Sequence, residues 1–219
     1  TPSALFSPLR YNCQVNPIDR LTQAFEKFPG IGPRQARRFV QYLLRETSIA
    51  RAALADDIKQ LGANTFQCKA CFRWSVKNEV KNNLCSICTG STREKGLLFV
   101  VEKDADIDNV EKSGFKGLYF VLGGAVPLAV EEPEKHIRAK QLLARVEADG
   151  AQGTLKEVIL GLSATTEGDH TRTFLQEKLL PIAEALNFKL SSLGRGLSTG
   201  SELEYADPDT IASALSARQ

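Results

Sequence analysis

The chain has 219 residues and 24.0 kDa, 42% of them hydrophobic and 25% charged, which excludes wholesale disorder and fibrous repeats and allows cores that need no disulfides. Its net charge of +2 conceals a division: residues 1–96 carry 15 Lys and Arg against 7 Asp and Glu, and residues 97–219 carry 13 against 19. A basic first part followed by an acidic second part is the pattern of a chain that meets a polyanion with one portion only, although plain compositional drift gives the same sums.

In chain order, the opening Thr1-Pro2-Ser3-Ala4-Leu5-Phe6-Ser7-Pro8 has neither the basic start nor the apolar segment of a secretory signal, so a soluble, cytosolic protein is expected. Cys13 stands alone in this Pro-punctuated stretch and reads as a small buried hydrophobe. Ile18 to Phe28 then places apolar residues at 18, 21, 25 and 28, one face of a helix. Pro29-Gly30-Ile31-Gly32-Pro33 follows, and Arg34 to Leu44 resumes helical spacing with apolar residues at 36, 39, 40, 43 and 44. Helix, tight turn, helix is the expectation. Gly30 and Gly32 permit positive φ and leave amides uncovered, Pro33 suits the first helical position, and Arg34, Arg37 and Arg38 surround that helix start. Free amides, a helix dipole and three cations attract a phosphate, and nothing in the turn reads base edges, so sequence-independent nucleic-acid binding is expected. The plainer alternative is a turn that joins two packed helices whose arginines only solvate a face.

Two C-x2-C pairs come next, Cys68/Cys71 and Cys85/Cys88, with thirteen residues between them. Two such knuckles supply the tetrahedral four-thiolate shell of a structural Zn²⁺, closed to substrate. Lys69, Arg73, Lys77 and Lys81 offset its negative charge, and the local core is limited to Phe66, Phe72, Trp74 and a few aliphatics, so metal binding is expected to carry the folding of this module. Two disulfides, or a redox C-x-x-C, are the competing readings.

From Leu97 onward the pattern is α/β. Strands are expected at Leu97–Val101, Gly117–Leu122, Glu157–Leu162 and Phe188–Leu193, and helices at Asp104–Ser113, Ile137–Ala148, about Asp169–Leu186 and Pro208–Ala217. Gly114 suits a helix C-terminus. Such alternation implies a mostly parallel sheet with ligands at the carboxyl ends of its strands, where Glu102 and Glu167-Gly168-Asp169 fall. The longest uncharged stretch, Gly117 to Val130, is broken by Gly123, Gly124 and Pro127 and is too short for a membrane span. His136 and His170 read as surface residues, and the glycines at 194, 196 and 200 lack a nucleotide-loop spacing. Ser198, Thr199 and Ser201 read as a polar turn before the last helix.

With these pieces in order the chain resembles the RecR family of bacterial recombination mediators. The resemblance is carried by Pro29-Gly30-Ile31-Gly32-Pro33, the four cysteines, Val100-Val101-Glu102, Gly117 to Gly124, Thr165-Thr166-Glu167-Gly168-Asp169, and the tail with Arg195-Gly196-Leu197 and Leu203-Glu204-Tyr205. It implies an α/β multi-domain chain: a helix-hairpin-helix domain over 1–62, a zinc-ribbon-like four-cysteine finger over 63–94, a Toprim domain with a Rossmann-like, mostly parallel sheet over 95–193, and a C-terminal segment with a terminal helix over 194–219. It further implies one structural Zn²⁺ per chain on Cys68, Cys71, Cys85 and Cys88; single- and double-stranded DNA held at the Gly30 and Gly32 turn by Arg34 and Arg38; and partner binding by Glu102, Glu167 and Asp169, whereas Arg37 replaces a commonly polar residue and joins the DNA-binding set by its charge alone. A ring-shaped homotetramer, action with RecO and RecF in loading RecA on gapped DNA, and a bacterial cytoplasmic, nucleoid-associated location are also implied. The cysteine pairs lie further apart than the family usually has, residues 125–136 match poorly, Ser198 replaces a common proline, and Asp169 stands for the usual glutamate.

An enzyme is the main rival. Catalytic Toprim proteins hold Mg²⁺ with an early glutamate and an Asp-x-Asp, and here those aspartate positions are Ser163 and Thr165. Hydroxyls hold divalent cations poorly, and Tyr11, Tyr42, Tyr119 and Tyr205 lack the context of a topoisomerase nucleophile. No catalysis is therefore expected. A zinc-ribbon adaptor for protein partners is the other alternative.

Overall fold

The computed structural model describes residues 16–77, 82–194, 196–197, 200 and 202–216. Cys13, Lys81, Arg195, Ser198, Thr199, Ser201 and the last residue of the predicted terminal helix, Ala217, lie outside them. The chain divides into two compact units, one ending at Ala63 and one beginning at Asn64.

The first unit holds α1 (Pro17–Glu26), α2 (Pro33–Arg45) and all but the last residue of α3 (Ser48–Asn64). The Asn16 side chain caps α1 by accepting from the Asp19 amide at 2.9 Å. This helix ends two residues before the predicted Phe28, because Phe28 precedes Pro29 and its amide instead closes a turn onto the Phe25 carbonyl. Ala36 and Val40 are buried and Leu43 half-buried, whereas Phe39 and Leu44, which share the predicted apolar face, are exposed. A two-helix hairpin is too thin to cover five apolar positions on one helix.

The second unit begins with β1 (Thr65–Gln67) and β2 (Trp74–Val76), an antiparallel pair, followed by the short α4 (Ser86–Thr89). Its main body is built from β3 (Glu94–Val101), α5 (Asp104–Lys112), β4 (Gly117–Val121), α6 (Ala139–Ala151), β5 (Glu157–Gly161), α7 (Thr166–Leu186), β6 (Lys189–Ser192) and α8 (Pro208–Ser216). The four strands β3 to β6 form one parallel sheet in the order β4-β3-β5-β6.

Strand alternation sorts the side chains into two cores. Leu98, Val100, Phe120, Leu122, Val158 and Leu160 pack with Leu142 and Val146 of α6 and Leu175 and Leu179 of α7. Phe99, Val101, Tyr119 and Val121 point the other way, onto Ile107 of α5 and the cysteine cluster. On that second face Arg93 forks onto Glu111 at 2.6 and 2.7 Å, and the Tyr119 hydroxyl donates to the same carboxylate at 2.6 Å. The Arg93 guanidinium holds the Glu111 carboxyl below its ordinary pKa, while burial, followed by the neighbouring Glu111, pushes the Tyr119 phenol up.

Further element boundaries depart from the sequence reading. α6 starts at Ala139 instead of Ile137, because the Arg138 amide pairs with the Leu122 carbonyl and its guanidinium with that of Val121, holding Arg138 out of the helix. It also runs on to Ala151, where Gly150 lets Leu186 approach closely. α7 starts at Thr166, three residues early, because the Thr165 hydroxyl accepts from the Gly168 amide at 3.1 Å and caps the helix. β3 starts at Glu94, whose amide pairs with the Lys116 carbonyl at 2.9 Å.

Candidate metal centre and nucleic-acid interface

The first cysteine knuckle is the turn between β1 and β2. The Cys68 amide donates to the Arg73 carbonyl at 2.8 Å, the Phe72 amide donates to the Cys68 carbonyl at 2.9 Å, and Phe72 takes a left-handed φ of 61° to complete the bend. The second knuckle is α4 with Cys85 as its N-cap and Cys88 inside it. The Lys69 amide, donating to the Asn83 carbonyl at 3.1 Å, ties one knuckle to the other.

All four sulfurs lie within 4.8 Å of one another, with Cys68 Sγ 3.8 Å from Cys88 Sγ and Cys71 Sγ 3.6 Å from Cys85 Sγ. A tetrahedron of thiolates about 2.3 Å from Zn²⁺ has edges of about 3.8 Å, whereas a disulfide needs about 2.05 Å. The donor set therefore fits a tetrahedral thiophilic ion. Interaction with its neighbours, Cys71 first, holds the Cys68 thiol below its ordinary pKa, while interaction with Cys68 pushes Cys71 and Cys88 up. Four packed thiols cannot all ionise unaided, and a cation that joins them displaces their protons.

The finger has more support than its own sequence offers. Cys68, Cys71 and Cys85 are buried in the second sheet-face core with Phe99, Val101, Tyr119 and Val121. The Val121 amide donates to the Cys71 carbonyl at 2.9 Å, and Arg145 Nη1 to the Ala70 carbonyl at 2.8 Å. Phe72 packs edge-on against Phe120 at 5.3 Å, with the Arg138 guanidinium over its ring. Trp74, expected in the local core, is instead 58% exposed, because its place in β2 turns it outward while its amide donates to Asp104 Oδ2 at 2.6 Å.

In the hairpin, Gly30 has φ +75°, a conformation that other residues rarely adopt, and the Ile31 amide closes the turn onto the Phe28 carbonyl at 3.1 Å. Gly32 is the N-cap of α2 and has no side chain to cap it, and Pro33 occupies the first turn, so the next amides point outward without intrahelical partners. Arg34, Arg37 and Arg38 are exposed and line one groove at this end, with Glu26 as its only acidic member among the described residues. None of the three arginines forms an ion pair among the described residues. The site can hold a phosphate by charge and backbone amides together.

The three Toprim-region acids do not converge. Glu102, at the carboxyl end of β3, is only 5% exposed, and both its oxygens are taken at 2.8 Å by Ser163, one by the amide and one by the hydroxyl. Glu167 is exposed in the first turn of α7, and Asp169 pairs with Arg172. Gly168 allows the close approach that this arrangement needs, since a Cβ there would run into the Ser163 carbonyl. Among the described residues, only the four cysteines gather three or more metal-donor side chains. Sequence reasoning located Ser163 as a missing aspartate but not as the partner of Glu102; its position sixty-one residues away left no local signal.

Residues 18–61 match the family model described as RecR, helix-hairpin-helix; residues 96–189 match the Toprim domain; and residues 196–219 match RecR, C-terminal. The chain is 38% identical over 205 residues to the recombination protein RecR of Herpetosiphon aurantiacus, covering 93% of this chain and 94% of that one. It is 36% identical over 203 residues to the RecR of Dehalococcoides mccartyi (92% and 93% covered) and 35% identical over 205 residues to that of Rickettsia massiliae (93% and 96%).

Proposed function

The chain belongs to the RecR family of recombination proteins, and from that premise we propose that it is a DNA-binding mediator of recombinational repair, assembling as a homotetrameric ring or clamp and acting with RecO and RecF to load RecA on gapped DNA. The observation that carries the reading is the α2 start, where three arginines that form no ion pair among the described residues flank an uncapped, glycine-entered helix terminus. That arrangement favours a sugar-phosphate backbone through charge and backbone amides, which suits a protein that acts wherever a gap arises.

Gly30 and Gly32 open the turn in this proposal, and Arg34, Arg37 and Arg38 hold phosphates. Cys68, Cys71, Cys85 and Cys88 hold one structural Zn²⁺, which braces the sheet face and performs no chemistry. Glu167 and Asp169 stand at the carboxyl end of the sheet as contacts for a protein partner. Glu102 supports them from within through Ser163, and its engagement there favours a non-enzymatic role over Mg²⁺-assisted phosphoryl transfer. A nucleoid-associated location belongs to the same proposal and follows from DNA binding; no helix among the described residues is long and apolar enough to cross a membrane.

The test is reconstitution of recombinase assembly on gapped DNA coated with single-strand-binding protein, with RecO present. Adding the wild-type chain is expected to accelerate assembly, and Arg34→Ala/Arg38→Ala to remove most of that gain. If the wild-type chain leaves the assembly rate unchanged, or Mg²⁺-dependent DNA cleavage abolished by Glu102→Gln appears, the mediator reading fails.

A further inference from the structure

We infer that α2 also carries a base-stacking platform, formed by Phe39 and Tyr42 beside Arg38, which makes the hairpin a site for single-stranded DNA. This rests on the phosphate-binding reading of the same helix and adds to it the side chains that would favour single strands over duplexes.

Two side-chain stripes run along α2. Arg34, Arg37, Arg38 and Gln41 line one groove, and Gln35, Arg38, Phe39 and Tyr42 line the next. Each set follows the i, i+3, i+4, i+7 spacing of a single helical stripe, and Arg38 belongs to both. A phosphate held on the arginine side therefore has its sugar and base directed within reach of the aromatic side.

Both rings are accessible, and that of Phe39 is held. Phe39 is 41% exposed and braced edge-on by Phe25 at a centroid distance of 5.7 Å. Tyr42 is 62% exposed, and the Glu46 carboxylate one turn further along the helix raises the pKa of its phenol. Held aromatic faces interleaved with a guanidinium are how proteins take single strands without reading sequence, because every base offers a π-face and every nucleotide a charge. In a duplex those faces are stacked against neighbouring bases and are not offered. The cation in the middle of the stripe favours a polyanion over an apolar protein surface, and the platform thus separates single strands from duplexes while the arginine stripe serves both.

Anisotropy titrations of the full chain with labelled oligo-dT and with a duplex of equal length test this. Tyr42→Leu keeps the helix and its apolar area but removes the ring; it is expected to weaken oligo-dT binding by roughly 5- to 100-fold, the range for loss of one stacked base, and to change duplex binding by less than about two-fold. Tyr42→Trp in a Trp74→Phe background is expected to retain binding and to lose indole emission when oligo-dT is added. Equal losses on both ligands, or an unchanged oligo-dT affinity with an altered oligomeric state, would overturn the platform and assign the stripe to a protein contact. Arg34→Ala/Arg38→Ala in the same assay separates the two ideas: it must weaken both ligands, and if it weakens neither, the phosphate-binding reading beneath this inference is what fails.

Discussion

Replacing Cys85 by serine is expected to abolish zinc binding and to lower the melting temperature of the whole second unit, not of a separable finger alone. Zn²⁺ contributes about 10–16 kcal/mol to the folding of zinc-finger peptides, and a hydroxyl in place of one of four thiolates forfeits most of that. The loss spreads because Cys68, Cys71 and Cys85 are packed with Phe99, Val101, Tyr119 and Val121, and because the Cys71 carbonyl accepts from the Val121 amide of β4. A destabilisation of roughly 5 kcal/mol or more corresponds to a fall of at least about 10 °C for a unit of this size. Metal analysis is expected to find about one Zn per wild-type chain and almost none in the variant, with the calorimetric transition shifted accordingly. A metal-free wild-type chain of undiminished stability would remove the centre from the account.

The second large effect is expected from the hairpin. Replacing Arg34, Arg37 and Arg38 together by alanine removes three exposed cations from one groove and leaves the helix start intact, since Pro33, Gly32 and the buried Ala36 and Val40 are untouched. Each phosphate contact contributes through release of condensed counterions, so losing two or three of them is expected to cost on the order of 10²- to 10³-fold in affinity at low salt, uniformly across DNA sequences. Circular dichroism checks that α2 survives. Wild-type affinity in the triple variant would move the DNA contact elsewhere in the chain.

Much of this was legible in the residues because the signals are local. Paired cysteines at knuckle spacing, glycines bracketing Ile31 ahead of Pro33, and the apolar run from Leu97 to Val101 each act through short-range geometry, and the structure places them in a cluster, a turn and a strand as their chemistry requires. What escaped depends on distant partners. The start of α6 was displaced by hydrogen bonds from Arg138 to β4 and the chain just after it, and Trp74 turned outward although its composition suggested a core. α3 gave no amphipathic signal, since its Ala, Ile and Leu residues are spread around the helix and are all exposed within its unit. The bond between Glu102 and Ser163 was hidden for the same reason: a serine read in isolation is only the loss of an aspartate, and its gain appears when β3 and β5 lie side by side.

The central claim is that an arginine-fringed helix start grips sugar-phosphate chains, and salt titration of DNA binding tests it most directly. Log affinity is expected to fall linearly with log salt at a slope corresponding to several phosphates, about 0.9 per contact on duplex and about 0.7 on single strands, and that slope to drop by roughly two to three in the Arg34, Arg37 and Arg38 variant. A wild-type affinity that is absent at low ionic strength, or that does not respond to salt, would contradict it.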